Sequence, residues 1–320
     1  MPVAARAGAR MRALPECASP AQAWIAVLDA AITAPRGQLL HAVVPISTPG
    51  PADPEVVALN DALLAAKGKH PVHRVASTVF PSSSYADPGF NYEPEMPAEQ
   101  LAVLDSAAAD LYSRYRTMLP WLQTFDGNER GTYFGRLVSW PGKDGDGYNQ
   151  LAARVRQLRG RRDLGWSSTN AADLTTDDPI DVQDGIGLRE YDAHDERPIG
   201  FPCLVHLDIS VVQNQLSLLA VYRNWHLITK ALGNLIGLSR LHHFLAQQTG
   251  YPVGELMVHA TVADDQRELF TKSAITTLLG RARAHLAATA RDPHAGVHGE
   301  SQLLNGSLAS PIATGIGAVQ

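Results

Sequence analysis

Three residues of the 320-residue chain have the types and spacing of a nucleophilic site. Cys203 follows Pro202 at the head of an alternating apolar run, Arg223 stands twenty positions on, and Asn234 eleven beyond that. A cysteine attacks as its thiolate, and a neighbouring guanidinium lowers the pKa that sets the thiolate fraction. The same guanidinium forks onto phosphate oxygens through two parallel hydrogen bonds. An asparagine amide offers one acceptor and two donors, which match an imide edge such as N3–H and O4 of uracil. Singly, each residue has a plainer reading. A lone cysteine on an apolar strand is more often packing than nucleophile, and Asn234 in an apolar helix needs a partner that backbone can supply.

The elements that must hold these residues are legible in the periodicity. Pro202 to Val212 alternates, placing Cys203, Val205, Leu207, Ile209 and Val211 on one face. Gln213-Asn214-Gln215 makes a turn and LSLLAVYR returns as the second strand of a hairpin. A helix is expected from His226 to Thr249, stopped by Gly250; a strand follows in YPVGELMVHATVA and a last helix in QRELFTKSAITTLLGRARAHLAA. Upstream, AQAWIAVLDAAITA, DPEVVALNDALLAAKGK, Pro97–Leu119 and NQLAARVRQLR read as amphipathic helices, Leu39–Ile46 as a strand, and Phe80–Met96 as a loop. Residues 1–20 read as a flexible tail and 289–320 as a disordered one, leaving a catalytic domain over 21–288. Within it, 176–199 is an acidic surface insertion whose Asp192, His194, Asp195 and Glu196 read as solvated rather than metal-bound; no metal site is expected.

Composition narrows the function classes. Lys plus Arg is 27 against 32 Asp plus Glu, a net charge of −5 that argues against nucleic-acid coating or a basic membrane-surface protein. Two cysteines, Cys17 and Cys203, are too few for a disulfide framework or a zinc cage, so a reducing cytoplasm is expected. No apolar run reaches the ~18–20 residues of a membrane span, and the N-terminus does not read as a signal peptide. There is no Gly-rich phosphate loop.

Taken together, FPC, its alternating strand, LSLLAVYR and GNLIGLSRLHHFLAQQTGYPVGEL resemble the core of the thymidylate synthase superfamily. The spacing from Cys203 through Arg223 to Asn234 fits that family without a gap. RGTYFGRLVSWPGKDGDGYNQLAARVRQLRGRRD is similar to the family's Gly-Pro-x-Tyr-Gly, Trp-Pro-x-x-Asp-Gly and Asp-Gln-Leu segments, the last followed by an Arg pair, so the likeness covers about residues 127–263. The resemblance implies an α+β fold with a large twisted mixed sheet, paired sheet to sheet in a homodimer with shared sites. It implies that Cys203 adds to C6 of a pyrimidine nucleotide monophosphate, that Arg223 and Arg36 hold the phosphate, and that Asn234 reads the base edge. Arg161 and Arg162 would reach the phosphate in the other subunit's site. Trp140 and His226 fall at positions that contact the cofactor, 5,10-methylenetetrahydrofolate.

Departures from the pattern shape the expected activity. His226 replaces a usual Asp, Tyr222 a usual Gln, and Asp264 and Gln266 stand where His and Tyr meet the sugar 3′-hydroxyl. An Asp accepts hydrogen bonds from a ribose diol. These changes point from housekeeping thymidylate synthesis toward one-carbon transfer to C5 in a side branch. Hydroxymethyl is favoured over methyl because the family's closing C-terminal segment is not recognisable. Two other readings stay open: the same cysteine chemistry on a nucleoside-like substrate, and a non-catalytic nucleotide-binding relative.

Overall fold

The structure is a computed structural model that describes residues 12–125, 128, 131–140, 147–165, 172–175 and 203–291. Pro202, the acidic insertion 176–199 and residues 292–320 lie outside the described residues. Among the described residues six strands, numbered in chain order, form one sheet: β1 (Arg12–Ala13), β2 (Gln38–Ile46), β6 (Val253–Asp264), β5 (Gln215–His226), β4 (Leu204–Val212) and β3 (Ala172–Thr175), in that spatial order. It is mixed, with β1–β2 and β5–β6 parallel and the other neighbours antiparallel. The helices are α1 (Pro20–Thr33), α2 (Pro54–Ala65), α3 (Val72–Val79), α4 (Ala98–Leu122), α5 (Tyr133–Val138), α6 (Gln150–Asp163), α7 (Leu232–Thr249) and α8 (Lys272–Arg291). The fold is α+β, and no described helix is long and apolar enough to cross a membrane.

Helix starts follow local chemistry. The Ser19 side chain accepts from the Gln22 N–H at 3.2 Å and Pro20, which has no N–H to satisfy, takes the first position of α1. Asp53 and Pro54 repeat the device at α2, and Asn149 caps α6. α1 and α7 pack together on one face of the sheet, covering Leu39, Ala42, Val44 and Ile46 of β2, Leu218 and Ala220 of β5, and Val258 and Ala260 of β6. The alternate residues Val43, Pro45, Leu219, Val221, Met257 and His259 stay half-buried on the other face.

Three expectations change and one element is added. Residues 12–20 are not a flexible tail: β1 pairs with β2, and Cys17 bridges to Ile46 and is buried. α3, for which no element was expected, buries the stripe Val72, Val75, Ala76 and Val79 and docks on α7 closely enough that a Cβ at Gly233 would stand 2.6 Å from the Val75 Cβ. The last helix begins at Lys272 rather than Gln266, and runs through 289–291, which were read as tail. Finally, a bulge between Leu204 and His206 breaks the alternation of β4. Leu204, not Val205, joins Leu207 on the buried face, so Cys203 does not share the face of Leu207 and Ile209. Extra residues of this kind re-aim a neighbouring side chain at sheet margins.

Candidate functional site

The hairpin brings Cys203 and Arg223 together. With a two-residue turn at Gln213 and Asn214, both at positive φ, β4 and β5 pair back to back until the Arg223 N–H donates to the Cys203 carbonyl at 2.9 Å. The half-buried Cys203 thiol is pushed up by burial, against the lowering effect of the Arg223 and Lys230 cations and of the Asn224 backbone. The Tyr133 hydroxyl closes one side, accepting from the Leu204 N–H at 3.4 Å, and burial raises its pKa out of reach of neutral pH. Tyr222 is fully buried beneath the thiol and stacks on Trp225 with ring centres 5.7 Å apart.

Beyond β5 the chain does not enter an ordinary helix. Residues Leu227–Ala231 form a wide π-turn, and it is held by distant side chains. The Trp24 indole donates to the Leu227 carbonyl at 2.7 Å, and Asn60 donates to the Ile228 carbonyl at 3.1 Å. The Gln266 carbonyl accepts from the Ile228 and Thr229 N–H groups and the Thr229 hydroxyl. Such turns are rare and frequently lie at functional sites. This one presents Lys230 toward the thiol and sets Asn234 at the head of α7.

Asn234 is 2% exposed, and its Oδ1 accepts from the Trp225 indole N–H at 3.2 Å. Its partner is therefore a side chain rather than backbone. Since an indole N–H only donates, the amide orientation is determined by this contact.

Two clefts flank the π-turn. One, of about 670 Å³, is lined by Arg36, Gln38, His226, Asp264, Gln266 and Arg267, among others. Arg36 and Asp264 arrive there because β2 pairs with β6, opposing Gln38 to Asp264. Arg36 adopts φ 60°, a left-handed conformation that costs an L-residue energy. Gly37 follows at φ 73°, where a Cβ would meet the Asp265 carboxylate. Asp264 accepts from Gln38 at 2.7 Å and from the Gln266 N–H at 2.6 Å. Burial lowers the His226 pKa, Asp264 raises it, and Lys230 lowers it. Arg267 is committed elsewhere, paired with the buried Asp265 at 2.7 Å. The second cleft, of about 380 Å³, is lined by His70, Arg74, Val75, Thr78, Thr124, Phe125, Asn128 and Lys230.

Of the residues singled out in the sequence, Cys203 and Arg223 meet on the hairpin, Arg36, His226 and Asp264 line one cleft, and Asn234 stands at the head of α7. Trp140 does not join them. It is 3% exposed beneath the Arg136 guanidinium, 5.9 Å from the ring centre, and lines neither cleft. Arg161 and Arg162 are also remote. Arg162 lies over Tyr251, 4.9 Å from the ring centre, at the far end of α7, ~22 Å along that helix from Asn234. Within one chain they cannot touch a ligand at Cys203.

Lys230 escaped the sequence reading, although it is the only charge in the run from Leu227 to Ser239. It is open to the water of the second cleft yet surrounded by protein, which pulls its ammonium pKa down while Cys203 holds it up. Replacing Lys230 by Met removes a cation facing the thiol, so the Cys203 pKa rises further. Alkylation by iodoacetamide near neutral pH is expected to slow by about three- to tenfold, the effect of half to one pKa unit. The pH–rate curve moves to higher pH; an unmoved curve would mean that Lys230 does not act on the thiol.

Among the described residues no group of three or more His, Cys, Asp or Glu could hold a metal ion. Compared with known proteins, the chain matches no family model and no curated sequence.

Proposed function

We propose that the protein catalyses folate-dependent one-carbon transfer, hydroxymethylation or methylation, to C5 of a pyrimidine nucleotide on a thymidylate synthase-like fold. The observation that carries this reading is a thiol beside two cations, Arg223 and Lys230, with a side-chain-oriented amide at the head of α7. Cys203 adds to C6, Arg223 and Arg36 hold the phosphate, and Asp264 accepts from the sugar hydroxyls. Asn234 donates through its NH2 to O4 of uracil, while the second lone pair of Oδ1 accepts from N3–H.

The second cleft suits the co-substrate. Phe125 offers a ring face, and His70, Arg74 and Lys230 offer nitrogen donors for carboxylates, which is the chemistry of a folate. Methylenetetrahydrofolate, when bound, supplies the one-carbon unit. His226 opens on the other cleft, so its part is with the nucleotide rather than with the folate.

The half-buried sheet face bearing Val43, Leu219, Val221 and Met257 suits a second copy of the chain. A homodimer formed there would let Arg161 and Arg162 serve the partner's site, which their distance from Asn234 otherwise forbids. Both cysteines are free, in keeping with a cytoplasmic enzyme.

Calorimetry with UMP, CMP and uridine tests the nucleotide reading. Losing the charge-assisted contacts to phosphate costs ~1.5–3 kcal/mol, so uridine is expected to bind about ten- to a hundredfold more weakly than UMP. CMP should also bind more weakly than UMP. Equal affinity for uridine and UMP overturns the phosphate assignment and favours a nucleoside-like substrate.

A further inference from the structure

A third cavity, of about 330 Å³, lies away from the two clefts, against the middle of α7. From Leu232 to Thr249 only Arg240, His243 and Gln247 escape full burial, at positions i, i+3 and i+7 of one stripe, and all three line this cavity. Opposite them, Phe80, Ser82, Tyr85, Asp87 and Asn91 come from the end of α3 and the loop that follows.

Its walls are aromatic. Phe244 stands between Phe80 and Tyr85, with ring centres 5.2 and 5.1 Å away. Its two ends carry opposite charges that do not pair. Arg240 makes no hydrogen bond or ion pair among the described residues, and burial, with no carboxylate opposing it, pulls its guanidinium below the usual value. Asp87 holds the loop instead: its Oδ1 accepts from the Gly89 N–H at 2.8 Å and from Gln247 at 2.6 Å, leaving Oδ2 open. His243 donates to the Pro49 carbonyl at 2.8 Å and so offers no further donor as a neutral ring.

The Arg240 guanidinium opens on this cavity, and its planar fork fits a carboxylate. The volume is at the small end of ligand pockets, enough for one ring with short substituents. We propose that this cavity binds a small aromatic zwitterion of the aromatic amino-acid type: carboxylate on Arg240, ring among Phe80, Tyr85 and Phe244, and ammonium on Asp87. The site is independent of Cys203, and the inference does not rest on the proposed one-carbon chemistry.

Calorimetry of the full chain with L-phenylalanine, benzoate and phenethylamine tests it. L-Phenylalanine is expected to bind saturably and more tightly than either single-charge analogue. Arg240→Gln should weaken L-phenylalanine and benzoate by at least about tenfold, with Arg240→Lys intermediate and serving in its place if the Gln variant does not fold. Asp87→Asn should weaken L-phenylalanine while sparing benzoate, whose retained binding reports an intact cavity. Cys203→Ser should leave L-phenylalanine binding unchanged. Absence of saturable L-phenylalanine binding, or full affinity in both Arg240 variants, overturns the proposal; benzoate binding as tightly as L-phenylalanine overturns the role of Asp87.

Discussion

Cys203→Ala is expected to abolish release of tritium from [5-³H]UMP in the presence of methylenetetrahydrofolate, lowering the rate by at least about a thousandfold, as removal of a covalent nucleophile does. The reason is the electronics of the ring. C5 of a pyrimidine is a poor nucleophile until sulfur forms a bond to C6. The C5=C6 π pair then moves toward O4 as an enolate, C5 takes the electrophile, and the C5 hydrogen leaves to a base and exchanges with water. Without the thiol the π pair has no reason to move. Cys203 is half-buried at the edge of the core, so its truncation leaves the fold intact. Because burial raises the thiol pKa, the wild-type rate should climb with pH through the range where the thiolate forms. Tritium release by the alanine variant at the wild-type rate would end the assignment of the nucleophile.

The second large effect is on stability in acid, and it is independent of any activity. His242 is fully buried in α7, where its Nε2 donates to the Leu216 carbonyl at 2.5 Å and its Nδ1 has no partner. Burial holds its pKa at about 4. In the unfolded chain it titrates near ~6.5. Above that pH both states are neutral and the imidazole favours neither. As pH falls below it, the unfolded chain takes up a proton that the folded one refuses, so stability is lost until the folded pKa is reached. The loss is about 3 kcal/mol over that window. Urea melts between pH 7 and pH 4 should show it, and His242→Gln, which keeps a donor for Leu216, should flatten that part of the curve. A variant with the wild-type slope would assign the acid loss to other groups.

Much of the candidate site was legible because hairpin geometry is local. A turn at Gln213-Asn214 between alternating strands brings residue 203 level with Arg223 and Asn224, and the bulge at Leu204–His206 then sets it opposite Arg223. Helix starts at Ser19, Asp53 and Asn149 and the stop at Gly250 were likewise written in a few adjacent residues, because caps satisfy backbone groups within one turn. The outward face of α7 was not, because Asn234, Ser239, His242, Gln248 and Thr249 are buried with the apolar residues, leaving only Arg240, His243 and Gln247 to face outward.

What the tertiary structure alone decided depends on contacts between residues far apart in the chain. The pairing of β2 with β6 puts Arg36 beside Asp264, 228 positions away, and no period of two or 3.6 encodes that register. The bulge at Leu204–His206 reverses the expected face of Cys203, because one extra residue shifts the phase of every side chain before it. Trp24, Asn60 and Gln266 converge on Leu227–Thr229 to hold the π-turn open, and only that turn makes Lys230 a neighbour of the thiol. Asn234 was marked by its type, but its orientation came from Trp225, a donor that nothing in the local sequence assigns to it. Local chemistry thus determined which segments form and which residues could react. Packing determined which way they point, since a buried polar group must take the one partner that the surrounding fold leaves within reach.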